Sequence, residues 1–317
     1  MPPEVDAQRI VVLRALKLGD FLTGVPAFRA VRRAFPQSRI ALAAPRELAP
    51  LLELLEGTFD ELIHARELAP LPPRAHHADI GIDLHGKGPE SQRLLLAAGA
   101  RRLIAFRHPD VPESARGAEH DPDEHEVRRW CRMLTHAGIP ADPSDLDLPA
   151  PAQPANARAR GATIVHPGAA SEARCWPVER WIAVARAERQ RGRRVLLTGG
   201  LAEVERANAI AEAAGIAAAD VYAGRTGLLE LAALVAVAGR VVCGDTGIAH
   251  LATALRRPSV VLFGPTPPAH WGPPPRAYHR VLWAGGRGDP HGQRIDRGLL
   301  AISPDAVIAA LADLPAA

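Results

Sequence analysis

The chain has 317 residues, 47% of them apolar and 23% charged, with a formal net charge of +3. That length is about two domains' worth at ~150 residues per domain, and the balance excludes a disordered chain, a collagen and a disulfide scaffold. The basic residues are almost all arginine, with only Lys17 and Lys87 as lysines, and they form no long run, so a nucleic-acid partner is not indicated. Cys131, Cys175 and Cys243 form no CxxC pair, which fits a reducing compartment. The opening MPPEVDAQ lacks the apolar core of a signal peptide. No apolar run reaches the ~18 residues of a membrane span. A cytoplasmic protein is therefore expected.

In chain order, an apolar β-branched run predicts a buried strand at 10–13. A loop follows, then a helix over 21–35 ended by Pro36. Next come a strand at 40–43, a short helix at 48–55, strands at 61–64 and 80–84, a helix at 89–98, a strand at 102–106 and a helix at 120–137. The Pro/Ala-rich stretch 149–160 reads as a linker. Beyond it the alternation restarts, with strands at 163–165, 195–198, 241–243, 260–263 and 281–283. Helices are predicted at 178–191, 202–214, 228–238, 246–255 and 304–314. The division is thus a first domain at 1–148, a linker at 149–160 and a second domain at 161–317. Alternating strands and helices in both halves imply an α/β fold with parallel sheets, which bind ligands outside the carboxyl ends of their strands.

The strand-to-helix loops are accordingly where chemistry is sought. In the first, Gly19 permits a turn and Asp20 stands at a helix start, where it suits either an N-cap or a carboxylate base. The loop after 163–165 carries His166-Pro-Gly168 and Arg174, a set suited to an anion or to a plain connection over a buried Trp176. Gly199, Gly200 and Glu203 follow the next strand; the acid fits a ribose diol or a helix N-terminus. Asp245, Thr246 and Gly247 open a helix whose free N–H groups, with the Thr246 hydroxyl, suit a phosphate; His250 falls one turn along the same face, as a structural residue or a part of that site. The turn Gly264-Pro-Thr266 is a weaker signal of the same kind.

Competing motifs fail. The chain has no GxGxxG after a strand and no GxxxxGK[ST], which removes the dinucleotide and P-loop readings. Asp245-Thr-Gly occurs once and precedes a helix, unlike the paired carboxylates of an aspartic protease. The run from His120 to His125 has metal-ligand residue types but reads as a solvated helix start, and the pair His76-His77 as surface.

Together the loops resemble glycosyltransferase family 9, the bacterial heptosyltransferases. The likeness is carried by Leu18-Gly-Asp-Phe-Leu with Pro26–Pro36, by His166-Pro-Gly with Arg174–Trp181 and Thr198-Gly-Gly, and by Asp245–Ala254 with Phe263-Gly-Pro-Thr266. It implies a GT-B architecture of two Rossmann-like domains facing across a cleft, the first for acceptor and the second for nucleotide sugar, with the last helix returning to the first domain. It implies a metal-independent, inverting transfer of a heptose-type sugar from ADP-heptose to a lipopolysaccharide-core or other glycan or glycolipid acceptor. No cofactor is implied, and a glycolipid acceptor would bring the enzyme to the inner face of the membrane. By position, Asp20 resembles the catalytic base. Arg174, Gly199, Glu203, Asp245, Thr246, Gly247 and His250 resemble donor-binding residues, Arg174 standing where a lysine is common. Lys87 and Ser91, near His85 and Gly86, are candidates for the acceptor. An epimerase on the same architecture and a non-catalytic nucleotide-binding module are the alternatives.

Overall fold

The computed structural model describes residues 7–315, so the first six residues of the MPPEVDAQ segment lie outside it. The chain divides into two compact units, Met1–Leu146 and Asp147–Ala317.

In the first unit β1 (Arg9–Leu13), β2 (Arg39–Ala44), β3 (Glu61–His64), β4 (Ile80–Asp83) and β5 (Arg102–Ile104) form one parallel sheet in the order β3-β2-β1-β4-β5. The central strands are apolar at nearly every position because helices cover both faces. Ile10 pairs with Ile40 on one side and Ile80 on the other. The helices are α1 (Leu18–Thr23), α2 (Val25–Ala34), α3 (Glu90–Ala97) and α4 (Glu126–His136).

Three expectations change here. The helix expected at 21–35 is two helices that meet at Gly24, because Pro26 cannot donate a backbone hydrogen bond. A Cβ at Gly24 would lie 2.6 Å from Phe28 Cζ and 3.1 Å from Arg14 Cδ, so the joint needs glycine for close packing. The segment Arg46–Leu55 is a run of 3₁₀ turns with Pro50 inside it. The last helix starts at Glu126 rather than 120: His125 caps it by accepting the Val127 N–H on Nδ1 at 3.2 Å. The run 120–125 before it is exposed or half-buried, while the first helical residue, Glu126, is buried.

In the second unit β6 (Thr163–His166), β7 (Val195–Leu197), β8 (Arg240–Gly244), β9 (Ser259–Phe263) and β10 (His279–Trp283) form a second parallel sheet, ordered β10-β9-β8-β6-β7. A single parallel bridge, Leu197 to Val221, extends its β7 edge. Counted as a strand, it gives this unit the same order as the first, with one strand added at the far edge. The helices are α5 (Val178–Gln190), α6 (Val204–Ala214), α7 (Leu228–Val237), α8 (Gly247–Ala254), α9 (Pro268–Trp271), α10 (Arg297–Ala301) and α11 (Pro304–Ala312). The short α9 and α10 carry too few residues to show a period.

The stretch expected as a linker is mostly exposed and is anchored to this unit at a few points. Ala159 is buried, and Arg158 Nη1 meets Asp220 Oδ1 at 3.0 Å. Just before it, Leu148 N–H donates to Ala254 O at 2.8 Å. The last helix belongs to this unit as well: Val307, Ala310 and Leu311 lie in one core with Trp176, Trp181, Val184 and Val260.

Both sheets reverse their strand order between two neighbours, β1 and β4 in one, β6 and β8 in the other. Loops leaving the carboxyl ends of those strands diverge and leave room for a ligand.

Candidate active site

In the first unit the reversal sets the β1–α1 loop beside the β4–α3 loop. Arg14, the first residue past β1, is fully buried. Its Nε donates to the Asp20 backbone O at 2.5 Å, Nη1 to Leu84 O, and Nη2 to Thr23 Oγ1 and Glu126 Oε1, each at 3.1 Å. Asp20 therefore sits in the first turn of α1 on a backbone pinned from below. Lys17 occupies the cap position, so Asp20 is not the N-cap. Burial raises the Asp20 pKa above the ordinary carboxylate value; the Arg14 charge opposes the rise and the Glu126 charge adds to it. A half-buried carboxyl with a raised pKa is suited to accept a proton.

Across the sheet, Asp83 ends β4 and is fully buried. It accepts Ser91 Oγ–H at 2.7 Å and the His85 N–H at 2.9 Å. Burial pushes Asp83 up to about 6, against those hydrogen bonds and the Arg14 charge. His85 Nδ1 accepts the Ala15 N–H at 3.1 Å, and burial with the Arg14 charge drives its pKa down to about 4. Ser91, a candidate for the acceptor, is buried and holds Asp83 instead. Lys87 is exposed on the same loop.

In the second unit His166 on β6 lies opposite Cys243 on β8, so the loops after both strands are neighbours. Arg174 ends a 3₁₀ turn, and its Nη1 lies 3.6 Å from Asp245 Oδ2. Thr246 precedes α8 in extended backbone, and Gly247 is that helix's first residue. The first N–H groups of a helix have no intrahelical acceptor. Two buried polar atoms of this turn have no hydrogen-bond partner, Arg174 Nε and Thr246 Oγ1. His250 stands one turn along α8, its ring 5.9 Å from that of Trp271.

Glu203 folds back over its own turn. Gly200 N–H donates to its Oε2 at 2.6 Å, and His166 Nε2 lies 3.8 Å from the same oxygen. A Cβ on Gly168 would come 1.7 Å from Glu203 Oε1, so only glycine admits the carboxylate there. Gly199 has a similar part: its O accepts the Gly224 N–H at 2.9 Å, and a Cβ on it would meet Glu203 Cβ at 3.0 Å. His166 Nδ1 lies 3.0 Å from Thr198 Oγ1, and burial lowers its pKa against the pull of Glu203.

Among the described residues no group of three or more His, Cys, Asp or Glu side chains is placed to hold a metal ion. No helix among them is long and apolar enough to cross a membrane.

The sequence model of glycosyltransferase family 9 (heptosyltransferase) matches residues 74–289. The chain belongs to glycosyltransferase family 9. The enzyme has the GT-B fold, as structural likeness also indicates. A family 9 glycosyltransferase from Veillonella parvula is 22% identical over 98% of each chain, with a TM-score of 0.79. The E. coli ADP-heptose lipopolysaccharide heptosyltransferase II is 24% identical over 96% of this chain and 97% of that one, at 0.72. The E. coli heptosyltransferase WaaC, solved with ADP-2-deoxy-2-fluoro heptose, is 20% identical over 96% and 99%, at 0.71. Comparison with curated proteins gave no match.

Three residues of the enzyme's two clusters carry no role in the motif reading: Arg14, Asp83 and Glu126. Two of them had a local signal. Arg14 and Asp83 are charged residues at the ends of otherwise apolar strands, where burial forces a partner.

Proposed function

We propose that the enzyme moves a heptose-type sugar, with inversion, from ADP-heptose to a lipopolysaccharide-core or related glycan or glycolipid acceptor. The observation that carries the donor half is the turn at the head of α8. There the unpartnered Thr246 hydroxyl and Arg174 Nε lie with the open N–H groups of a helix N-terminus. Such a set matches a diphosphate, which needs many donors and positive charge. The ADP-heptose analogue bound to WaaC supports ADP as the nucleotide.

Asp20 is the base of the proposal. It removes the acceptor hydroxyl proton as that oxygen attacks the anomeric carbon from the side opposite the diphosphate. Arg174, Thr246 and the α8 N–H groups take up the charge that grows on the leaving diphosphate, the part a metal plays elsewhere. Glu203 holds the ribose, and His166 beside it keeps that carboxylate in place. Lys87 and His85 face the acceptor. The enzyme works in the cytoplasm, at the inner membrane face when its acceptor is a glycolipid.

The test is calorimetric binding of ADP, GDP, UDP and dTDP with EDTA present. ADP should bind in preference. Thr246→Val should weaken ADP by about tenfold, since a hydrogen bond to a charged group is worth ~1.5–3 kcal/mol. Asp20→Asn should bind ADP as before yet lose transfer. Equal affinity in Thr246→Val would misplace the phosphate turn, and unchanged turnover in Asp20→Asn would remove the base. Products formed from donor alone would turn the reading toward an epimerase.

A further inference from the structure

Glu126 begins α4, 112 residues beyond Arg14, and its side chain is almost wholly buried. Three donors converge on it. Arg14 Nη2 reaches Oε1 at 3.1 Å, Trp130 Nε1 reaches Oε1 at 2.7 Å, and Arg129 Nη1 reaches Oε2 at 2.6 Å. The Arg14 guanidinium also lies 4.9 Å from the centre of the Trp130 ring. The same guanidinium holds the Asp20 backbone O and, through Thr23, the turn that follows.

We propose that Glu126 is a positioning residue for Asp20: through the buried Arg14 guanidinium it fixes the first turn of α1 and balances the positive charge beneath it. A buried ion pair seldom adds net stability, and an apolar pair of equal volume fills space as well. What an apolar pair lacks is charge next to a carboxyl group. Arg14 alone would draw the Asp20 proton off and leave a weaker base; Glu126 offsets it.

The neighbours that bear on this balance are few. Asp20 feels Arg14 from the loop after β1 and Glu126 from α4. Asp83 and His85, from β4 and its loop, feel the same Arg14 charge. Arg129 acts on Glu126, and His120 feels both. Lys17, at the cap of α1, is exposed to solvent, where its charge is screened.

The role rests on Asp20 as the base, and its test separates the two claims. Carboxyl ¹³C signals of the full chain are titrated, with Asp20→Asn assigning the Asp20 signal. Glu126→Gln keeps the shape and removes the charge; the Asp20 midpoint should fall by about half a pH unit or more. Should the single variant not fold, the Glu126 effect is read as the midpoint difference between Arg14→Met and Arg14→Met/Glu126→Gln. The double variant's midpoint should lie below that of Arg14→Met, because the raising Glu126 charge has gone. An unmoved midpoint in Glu126→Gln, or equal midpoints in the Arg14 pair, overturns the proposal. The acidic limb of the transfer rate should follow the midpoint in Glu126→Gln. If the midpoint moves while Asp20→Asn still transfers sugar, the coupling holds and the base assignment falls.

Discussion

Asp83 and His85 stand two residues apart and respond to pH in opposite senses. The folded Asp83 pKa, about 6, lies above its ordinary 3.8, so the native state holds a proton that the unfolded chain has released between those values. Its contribution is full below about 4 and is lost as pH rises to about 6. The folded His85 pKa, about 4, lies below its ordinary 6.5, so over nearly the same window the unfolded chain binds the extra proton. That contribution grows as pH rises. The two nearly cancel in the wild type, and removing either exposes the other. Relative to wild type, the melting temperature of Asp83→Asn should climb between pH 4 and 6, and that of His85→Gln should decline. Parallel curves for all three proteins would refute this pairing.

At the scale of the element, α5 shows what seats a strand-to-helix loop. Trp176 just before it and Trp181 within it are both about fully buried and meet edge to face, ring centres 4.9 Å apart. Trp176 Nε1 donates to Ile302 O at 3.1 Å, which ties the loop carrying Arg174 to the segment before α11. Trp181→Ala should lower stability by ~3–5 kcal/mol, the usual loss for a large aromatic in a core. In a unit of this size that is a fall of roughly 10 °C in melting temperature, read by calorimetry. Trp176→Phe keeps a six-membered ring but loses the pyrrole half of the indole and its hydrogen bond, so its fall should be smaller than that of Trp181→Ala. A change within error for Trp181→Ala would mean the core collapses around the gap. Helix α5 was legible from its apolar period and from Pro177. The break between α1 and α2 was not read, although Gly24 and Pro26 mark it, because their meaning depends on Arg14 packing beneath.

For the whole molecule, two units with separate cores give a clear expectation. On the proposed reading ADP binds the second of them, and a ligand stabilises only what it binds, by ~2.7 kcal/mol at a hundred times its Kd. Amide exchange with saturating ADP should slow at 166–176, 198–203 and 245–250, and remain as before around Asp20 and Asp83. Slowing confined to the first unit would reverse the assignment of donor and acceptor. The alternation of strand and helix across both units was read correctly from periodicity, which is a local property. Residues 149–160 stay mostly exposed, and what periodicity did not show is that Ala159 enters a core. The apolar face of helix α11 seats it in the same core as Trp176 and Trp181.

Sequence by itself determined the α/β class, the parallel sheets, the places of the strand-to-helix loops and the family those loops resemble. Each rests on neighbours within a few turns of chain: apolar period, turn residues, the spacing of Thr246 and His250. Tertiary structure alone decided that Ser91 serves Asp83, that Glu203 lies over Gly168, and that Arg14 meets Glu126. Those outcomes depend on which distant groups burial forces together. A buried charge must find a partner wherever the fold brings one, and no spacing along the chain records where that is.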